Sequence, residues 1–136
     1  MKTLKLEIVT PDSTAYSEDV EMVVLPGSEG ELGVYPMHVP LLTTLKPGEI
    51  RVLKDGKESF LAVGEGFVEI TASAVSILTD MALESQQIDV AAAEEAVARA
   101  QAAMKEDHGS EEVAAIQASL QKALAQLHVK RRRHHG

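Results

Sequence analysis

Cysteine and tryptophan are missing from the 136 residues, and the aromatic side chains amount to two Tyr and two Phe. The first absence excludes a disulfide framework and a thiolate metal site, and it suits a reducing compartment. The scarcity of rings leaves little with which to stack nucleotide bases, so a core has to be assembled from Val, Leu, Ile, Ala and Met. No early apolar run resembles a signal peptide. No segment approaches the roughly 20 apolar residues that cross a bilayer, so the chain is expected to be soluble by itself. Its length fits one modest domain with an appendage, and its 45% hydrophobic content is that of a globular protein.

Charge is unevenly spread. The formal total is −8, and Lys130, Arg131, Arg132 and Arg133 carry +4 of opposite sign at one end, leaving −12 on the rest. An acidic body argues against wrapping a polyanion. The basic tail suits an acidic partner, a phosphate backbone, anionic lipid, or simply the negative end of a helix.

Two hydrophobic periods divide the chain. Up to about Asp80 apolar residues alternate with polar ones, as in Leu4, Leu6 and Ile8 against Lys5 and Glu7, or Val20, Met22 and Val24, and this is the pattern of half-buried strands. Pro26-Gly27, Lys46-Pro47-Gly48 and Gly64-Glu65-Gly66 punctuate them. Asp55-Gly56 signals a two-residue hairpin between strands over 50–53 and 59–63, with further strands over 67–71 and 75–79. Past Gln87 the spacing becomes three and four: Val90, Ala93, Val97, Ala100 and Met104, then Val113, Ile116, Leu120, Leu124 and Leu127. Asp89 is the expected N-cap of the first helix and Ser110 of the second, and Gly109 is expected to stop the first. The fold class is therefore α+β in two parts. An antiparallel β-sandwich spans 1–84, and an antiparallel two-helix hairpin with a basic tail spans 85–136.

The first helix is rich in alanine, which favours helix but buries little surface. Its stripe and that of the second helix hold eight larger apolar residues, each worth about 1.5–3 kcal/mol if completely buried. Ordering each residue costs about 1–2 kcal/mol of backbone entropy, partly offset by helical hydrogen bonds. Docking is thus expected to be marginal, with the hairpin exchanging between a form folded on the sandwich and an extended form.

Side chains suited to bond chemistry do not converge. Ser28, His38 and Asp80 could form a Ser-His-Asp trio only on paper, with no nucleophile-elbow motif behind them. The pairs Glu94-Glu95 and Glu111-Glu112 occupy adjacent helix positions that face different ways. His38, His108, His128, His134 and His135 lack ligand spacing, so no metal site is expected. Gly64-Glu65-Gly66 lacks the remaining spacing and the lysine of a phosphate loop. No catalytic residue is expected.

The densest pattern is residues 30–42, Gly-Glu-Leu-Gly-Val-Tyr-Pro-Met-His-Val-Pro-Leu-Leu, read as a loop whose glycines and prolines hold one defined surface. With Ser28-Glu29 before it and Thr43 after it, this stretch resembles the signature of the epsilon subunits of F-type ATP synthases. The likeness continues through Ile88-Asp89, His108-Gly109-Ser110 and residues 123–127, Ala-Leu-Ala-Gln-Leu. It implies a non-catalytic rotor subunit in which the sandwich joins the gamma subunit to the c-ring and the helices inhibit ATP hydrolysis by reaching the alpha and beta subunits. On that resemblance Glu31, Leu32, Gly33 and His38 would contact the c-ring. Arg99, Lys122, Arg131, Arg132 and Arg133 would contact the catalytic head.

Some epsilon subunits bind ATP through Ile or Leu, Asp, two variable residues, Arg and Ala. Here Ile88 and Asp89 match, but Ala92 stands where the arginine belongs and cannot grip phosphate, so no cofactor and at most weak ATP binding are expected. The resemblance also implies a peripheral place on the cytoplasmic face of the bacterial plasma membrane, touching the membrane only through the complex. Two other classes compete: a module whose basic tail binds nucleic acid, and a small sandwich hydrolase lacking any visible polar pocket.

Overall fold

The computed structural model describes residues 3–106 and 108–133. Leu4, Leu6 and Ile8 all point inward from the first strand while Lys5 and Glu7 face out, as the alternation requires. In chain order the strands are β1 (Leu4–Val9), β2 (Thr14–Val20), β3 (Met22–Gly27), β4 (Gly30–Val34), β5 (Leu41–Leu45), β6 (Gly48–Lys54), β7 (Lys57–Val63), β8 (Gly66–Ile70), β9 (Ala74–Thr79) and β10 (Ala82–Glu84). A 3-10 turn at Ser85–Gln87 leads to α1 (Val90–Met104) and α2 (Ser110–Arg133).

The strands form one sheet that folds over on itself in the order β10-β7-β6-β3-β5-β8-β9-β1-β2, with β4 paired to β3 off this path. β3 is where the layers join, pairing β6 through residues 22–24 and β5 through Gly27. Between the layers lies a core of Leu, Ile and Val that includes Leu6, Ile8, Val23, Ile50, Leu61, Val68 and Ile77. Burying such side chains is the principal stabilising contribution, since each removes most of its apolar surface from water.

Three details depart from the pattern in the sequence. Val20, Met22 and Val24 do not continue one strand, because the chain bends at Glu21 and the inward positions become Val20, Val23 and Leu25. Glu21 supports the bend: its N–H donates to the Leu53 carbonyl at 2.8 Å and Oε1 accepts from Gly56 N at 3.0 Å. Pro26-Gly27 lies within β3, so the turn falls on Ser28-Glu29. Finally, β1 runs parallel to β9 in an otherwise antiparallel sheet.

The Asp55-Gly56 signal is realised. Both residues have positive φ, 53° and 74°, the two-residue turn whose twist matches that of the strands it joins. Gly66 is required for another reason, since a Cβ there would lie 1.9 Å from the Leu78 carbonyl oxygen across the β8–β9 pair.

Candidate interaction surfaces and the docked hairpin

Asp89 starts α1 as expected, its Oδ1 accepting the Ala92 N–H at 3.1 Å. α1 ends at Met104, ahead of Gly109, with Lys105 as C-cap. At α2 the cap is Gly109, whose carbonyl accepts the Val113 N–H at 3.0 Å, while Ser110 is already the first helical residue. Glu111 and Glu112 occupy its first turn, where acid complements the helix dipole.

The hairpin is docked, and α2 makes the attachment. α1 packs principally on α2, while α2 packs on β6 and β7. The docking face of the sheet is the outward row Glu49, Ala62 and Leu83 on neighbouring strands. Ala62 joins Ile88, Ala125 and Val129 in a small second core, bordered by Phe60, Met81 and Leu83. Val129 is 1% exposed, whereas Leu124 of the expected stripe is 40% exposed. The second half of α2 therefore turns Ala125 and Val129 to the sheet instead of continuing the interhelical seam.

Polar contacts flank this apolar patch. Lys122 Nζ donates to Asp80 Oδ2 at 3.1 Å, in space left open because residue 64 is Gly. Lys130 Nζ donates to the Ser85 carbonyl at 3.0 Å, and Arg132 Nε donates to Glu49 Oε2 at 2.6 Å. The Arg132 guanidinium also sits 4.9 Å from the centre of the Phe60 ring. His128 Nε2 lies 3.9 Å from the same Glu49 oxygen.

Of the five cations expected to reach a catalytic head, Lys122 and Arg132 are thus engaged with the sandwich here. Arg99 lines an open groove of about 410 Å³ between the helices with Ala96, Ala100 and Ile116. Arg131 is exposed. The Arg133 side chain, and His134 and His135, lie outside the described residues. Glu49, Asp80 and Phe60, which receive the hairpin, had no signal in the sequence, since their partners are more than 40 residues away.

Residues 30–42 separate into β4, a connection over 35–40 and the first two residues of β5. Glu31, Leu32 and Gly33 belong to β4, where Glu31 is exposed and Leu32 is half-buried against the core. His38 lies in the following connection, with Nδ1 2.6 Å from the Val39 carbonyl oxygen. That connection is tied to the β8–β9 turn by Met37 N donating to the Ala72 carbonyl at 2.7 Å. Glu31 pairs with Pro26, next to Gly27, which pairs with Leu45, whereas His38 precedes Leu41 by three residues, so the two lie toward opposite ends of β5, a strand whose ends are roughly 13 Å apart at strand spacing.

The outer face of the other layer carries an exposed apolar strip beside a polar row, in which Leu42 is followed across the strands by Glu69, Ser76 and Glu7. Thr44, Phe67, Leu78 and Val9 form one lateral row across β5, β8, β9 and β1. Phe67 and Leu78 are each 60% exposed and Leu42 is 73% exposed. Tyr35, Met37 and Val39, also exposed, extend the apolar surface through the connection that holds His38. Exposed apolar residues gathered in this way mark a surface for another protein.

Ile88 is buried in the second core and Asp89 caps α1, so both matching residues of the nucleotide motif have local structural work. Ala92 is exposed and brings no charge. Ser28, His38 and Asp80 lie on separate turns. Among the described residues no group of three or more His, Cys, Asp or Glu could hold a metal ion.

A sandwich followed by a docked helical hairpin defines a two-part α+β architecture, and comparison with known proteins gives its family. Residues 3–85 match the model of the ATP synthase delta/epsilon chain beta-sandwich domain, and residues 86–131 match that of the delta/epsilon chain long alpha-helix domain. The chain belongs to the delta/epsilon chain family of ATP synthases. The ATP synthase epsilon chain of Laribacter hongkongensis (strain HLHK9) is 41% identical over 129 residues, covering 93% of this chain and 92% of that one. The resemblance to epsilon subunits in residues 30–42 and in the helices is therefore borne out.

Solved structures share the fold at lower identity. A chain of the Euglena gracilis mitochondrial ATP synthase, in an OSCP/F1/c-ring structure, has a TM-score of 0.77 at 22% identity and covers 94% of this chain and 81% of its own. A chain of the Tetrahymena thermophila central stalk/c-ring structure has a TM-score of 0.53 at 14% identity, over 64% of this chain and 72% of its own.

Proposed function

We propose that the chain is a non-catalytic rotor subunit of a bacterial ATP synthase, joining gamma to the c-ring and restraining ATP hydrolysis when its helices extend toward the alpha and beta subunits. The observation that carries this reading is the contrast between the sandwich's two outer faces. One face, Glu49-Ala62-Leu83, is covered by the chain's own α2; the other exposes an apolar strip of Leu42, Phe67 and Leu78 bordered by Glu69, Ser76 and Glu7. A shaft gripped by the bare face leaves the hairpin free to dock or release on the opposite side.

Exposed Glu31 and the backbone at Gly33, on a strand paired on one side by β3, are suited to a polar loop of the c-ring. Half-buried Leu32 supports that strand from beneath. His38 lies with Met37 and Val39, at the edge of the apolar strip, and suits gamma better than the ring. Arg99, Lys122 and the tail arginines serve the extended form, in which Lys122 and Arg132 exchange Asp80 and Glu49 for acids of the catalytic head. The chain takes no cofactor and holds ATP weakly or not at all, since Ile88 and Asp89 are committed to packing and capping and Ala92 offers no cation. It sits peripherally at the cytoplasmic face of the plasma membrane, through the complex.

The test is co-purification with a gamma subunit, followed by ATP hydrolysis measured with the full chain and with a chain ending at Gln87. Retention on gamma in both cases and faster hydrolysis without the helices is the expected result. A full chain that ignores gamma would remove the basis of the proposal.

A further inference from the structure

His108 lies in the short connection between α1 and α2, and both nitrogens of its ring face acceptors. Nε2 is 2.7 Å from the carbonyl oxygen of Ala103, in the last turn of α1, and Nδ1 is 3.1 Å from Glu112 Oε2, in the first turn of α2. A carbonyl and an ionised carboxylate have no hydrogen to give. Neutral imidazole carries one N–H, so it satisfies one partner and turns a lone pair toward the other; imidazolium donates to both. The arrangement is complementary to the protonated ring, and the ring bridges the two helices.

We propose that His108 is a proton-operated clasp of the hairpin: protonated, it staples the end of α1 to the start of α2, and deprotonated, it lets the helices part.

The charges around it act in the same direction. Glu112 from α2 is the largest influence and raises the ring's pKa above its ordinary value of 6.5, followed by the bond to the Ala103 carbonyl; Glu106 in the connection adds to this, and covering of the ring opposes it. The Ala103 carbonyl, which also accepts the Glu106 N–H at 3.1 Å, belongs to the negative C-terminal end of α1, which favours a cation. Lys105, the C-cap of α1, is the nearby positive charge in the connection. The clasp's contribution is complete below the ring's unfolded pKa and disappears as pH rises through the higher folded value. Mild acidity closes the hairpin, and alkalinity loosens it.

Position makes this consequential. α2 is fastened to the sheet, while α1 is held principally by α2, so the joint between them controls whether α1 separates. The proposal deepens the reading of the hairpin as a movable arm, but it is tested on the isolated chain, so its outcome is distinct from whether an extended arm inhibits hydrolysis.

Because the sequence has no cysteine, two can be introduced at exposed Glu95 and Gln117 and spin-labelled in the full chain. Distances are compared at about pH 5.5 and about pH 8.5 in the labelled parent, in H108Q and in E112Q, and the ring is titrated by NMR. The expected result is a ring titrating above 6.5, lowered in E112Q. The widely separated population should rise about two- to fivefold with pH in the parent, while H108Q is open to the same extent at both values. A ring titrating at or below the ordinary value, or a distance that responds to pH equally with and without His108, overturns the proposal.

Discussion

Arg132 Nε meets Glu49 Oε2 at 2.6 Å, joining the last turns of α2 to the start of β6 across 83 residues of sequence. Glu49 is the more enclosed partner, its side chain 15% exposed against 41% for Arg132. The contact therefore works from a carboxylate already largely removed from water, with Phe60 beneath the guanidinium.

Glu49→Gln should weaken docking by about 1 kcal/mol, which is roughly a fivefold shift toward the extended form. The check is hydrogen exchange in residues 120–130, where protection should fall while the strands keep theirs. In the assembled enzyme the same change should deepen inhibition of ATP hydrolysis. Added salt should act in the same direction on the intact chain, because Lys122-Asp80 and Arg132-Glu49 are both partly open to solvent.

Phe67→Asp and Leu78→Asp place charge on the bare strip without entering the core. Each should leave thermal stability within about 0.5 kcal/mol of the parent. Each should also reduce gamma binding by at least about tenfold, as removal of a buried interface anchor does. Titration calorimetry with gamma reads the second effect, and unchanged affinity in both variants would remove this strip from the interface.

Ala92→Arg supplies the guanidinium missing from the nucleotide motif, on an exposed helical position next to the Asp89 cap. The variant should bind ATP measurably more tightly than the parent in calorimetry, with the triphosphate essential and adenosine inactive. No gain would mean that the pocket around the motif is missing as well as its cation.

Gly66→Ala should destabilise the sandwich by about 1–3 kcal/mol, toward the upper end, because the Cβ meets the Leu78 carbonyl of the neighbouring strand. Denaturant melts provide the measurement. Gly33→Ala, at a position whose Cβ meets open space, is the matching control and should cost far less.

Acid should loosen the seam between β2 and β6. The Glu18 carboxyl is held below its ordinary 4.5 by its hydrogen bond to Lys54 and then by that ammonium's charge. Such a group stabilises above the unfolded pKa, and the contribution is lost as pH falls through the lower folded value. Glu18→Gln should flatten the acid limb of stability against pH and leave the neutral and alkaline regions as they were.

β1, β6, β7, β8, β9 and both helices were legible because each follows one period, helped by local signals such as Asp55-Gly56 and Asp89, whereas β2, β4, β5 and β10 carry no such pattern. Errors arose where a contact distant in sequence decided the outcome. Glu21 bends the chain because Leu53 and Gly56 wait for it, and Val24 loses its inward place as a result. Leu124 fits the interhelical stripe on spacing alone, yet the sheet draws Ala125 and Val129 inward instead. Residues 30–42 were correctly informative but misread as one loop, since the pairing of Gly30–Val34 with β3 depends on a partner strand that residue types alone do not specify. The residues of the apolar strip were not legible, because Phe67 and Leu78 look like core positions until the register places them outside.

The parallel pairing of β1 with β9 has a consequence for birth on the ribosome. β1 pairs at once with β2 on one side, but its partners on the other side lie 69 residues later, Lys5 opposite Ala74 (74 − 5), so the two-layer body is incomplete until residue 79 has emerged, and such distant pairing is slow. The helices follow last, onto a surface that has only just come into being. A translation pause beyond residue 79 would let the sandwich close before anything competes for its outer faces.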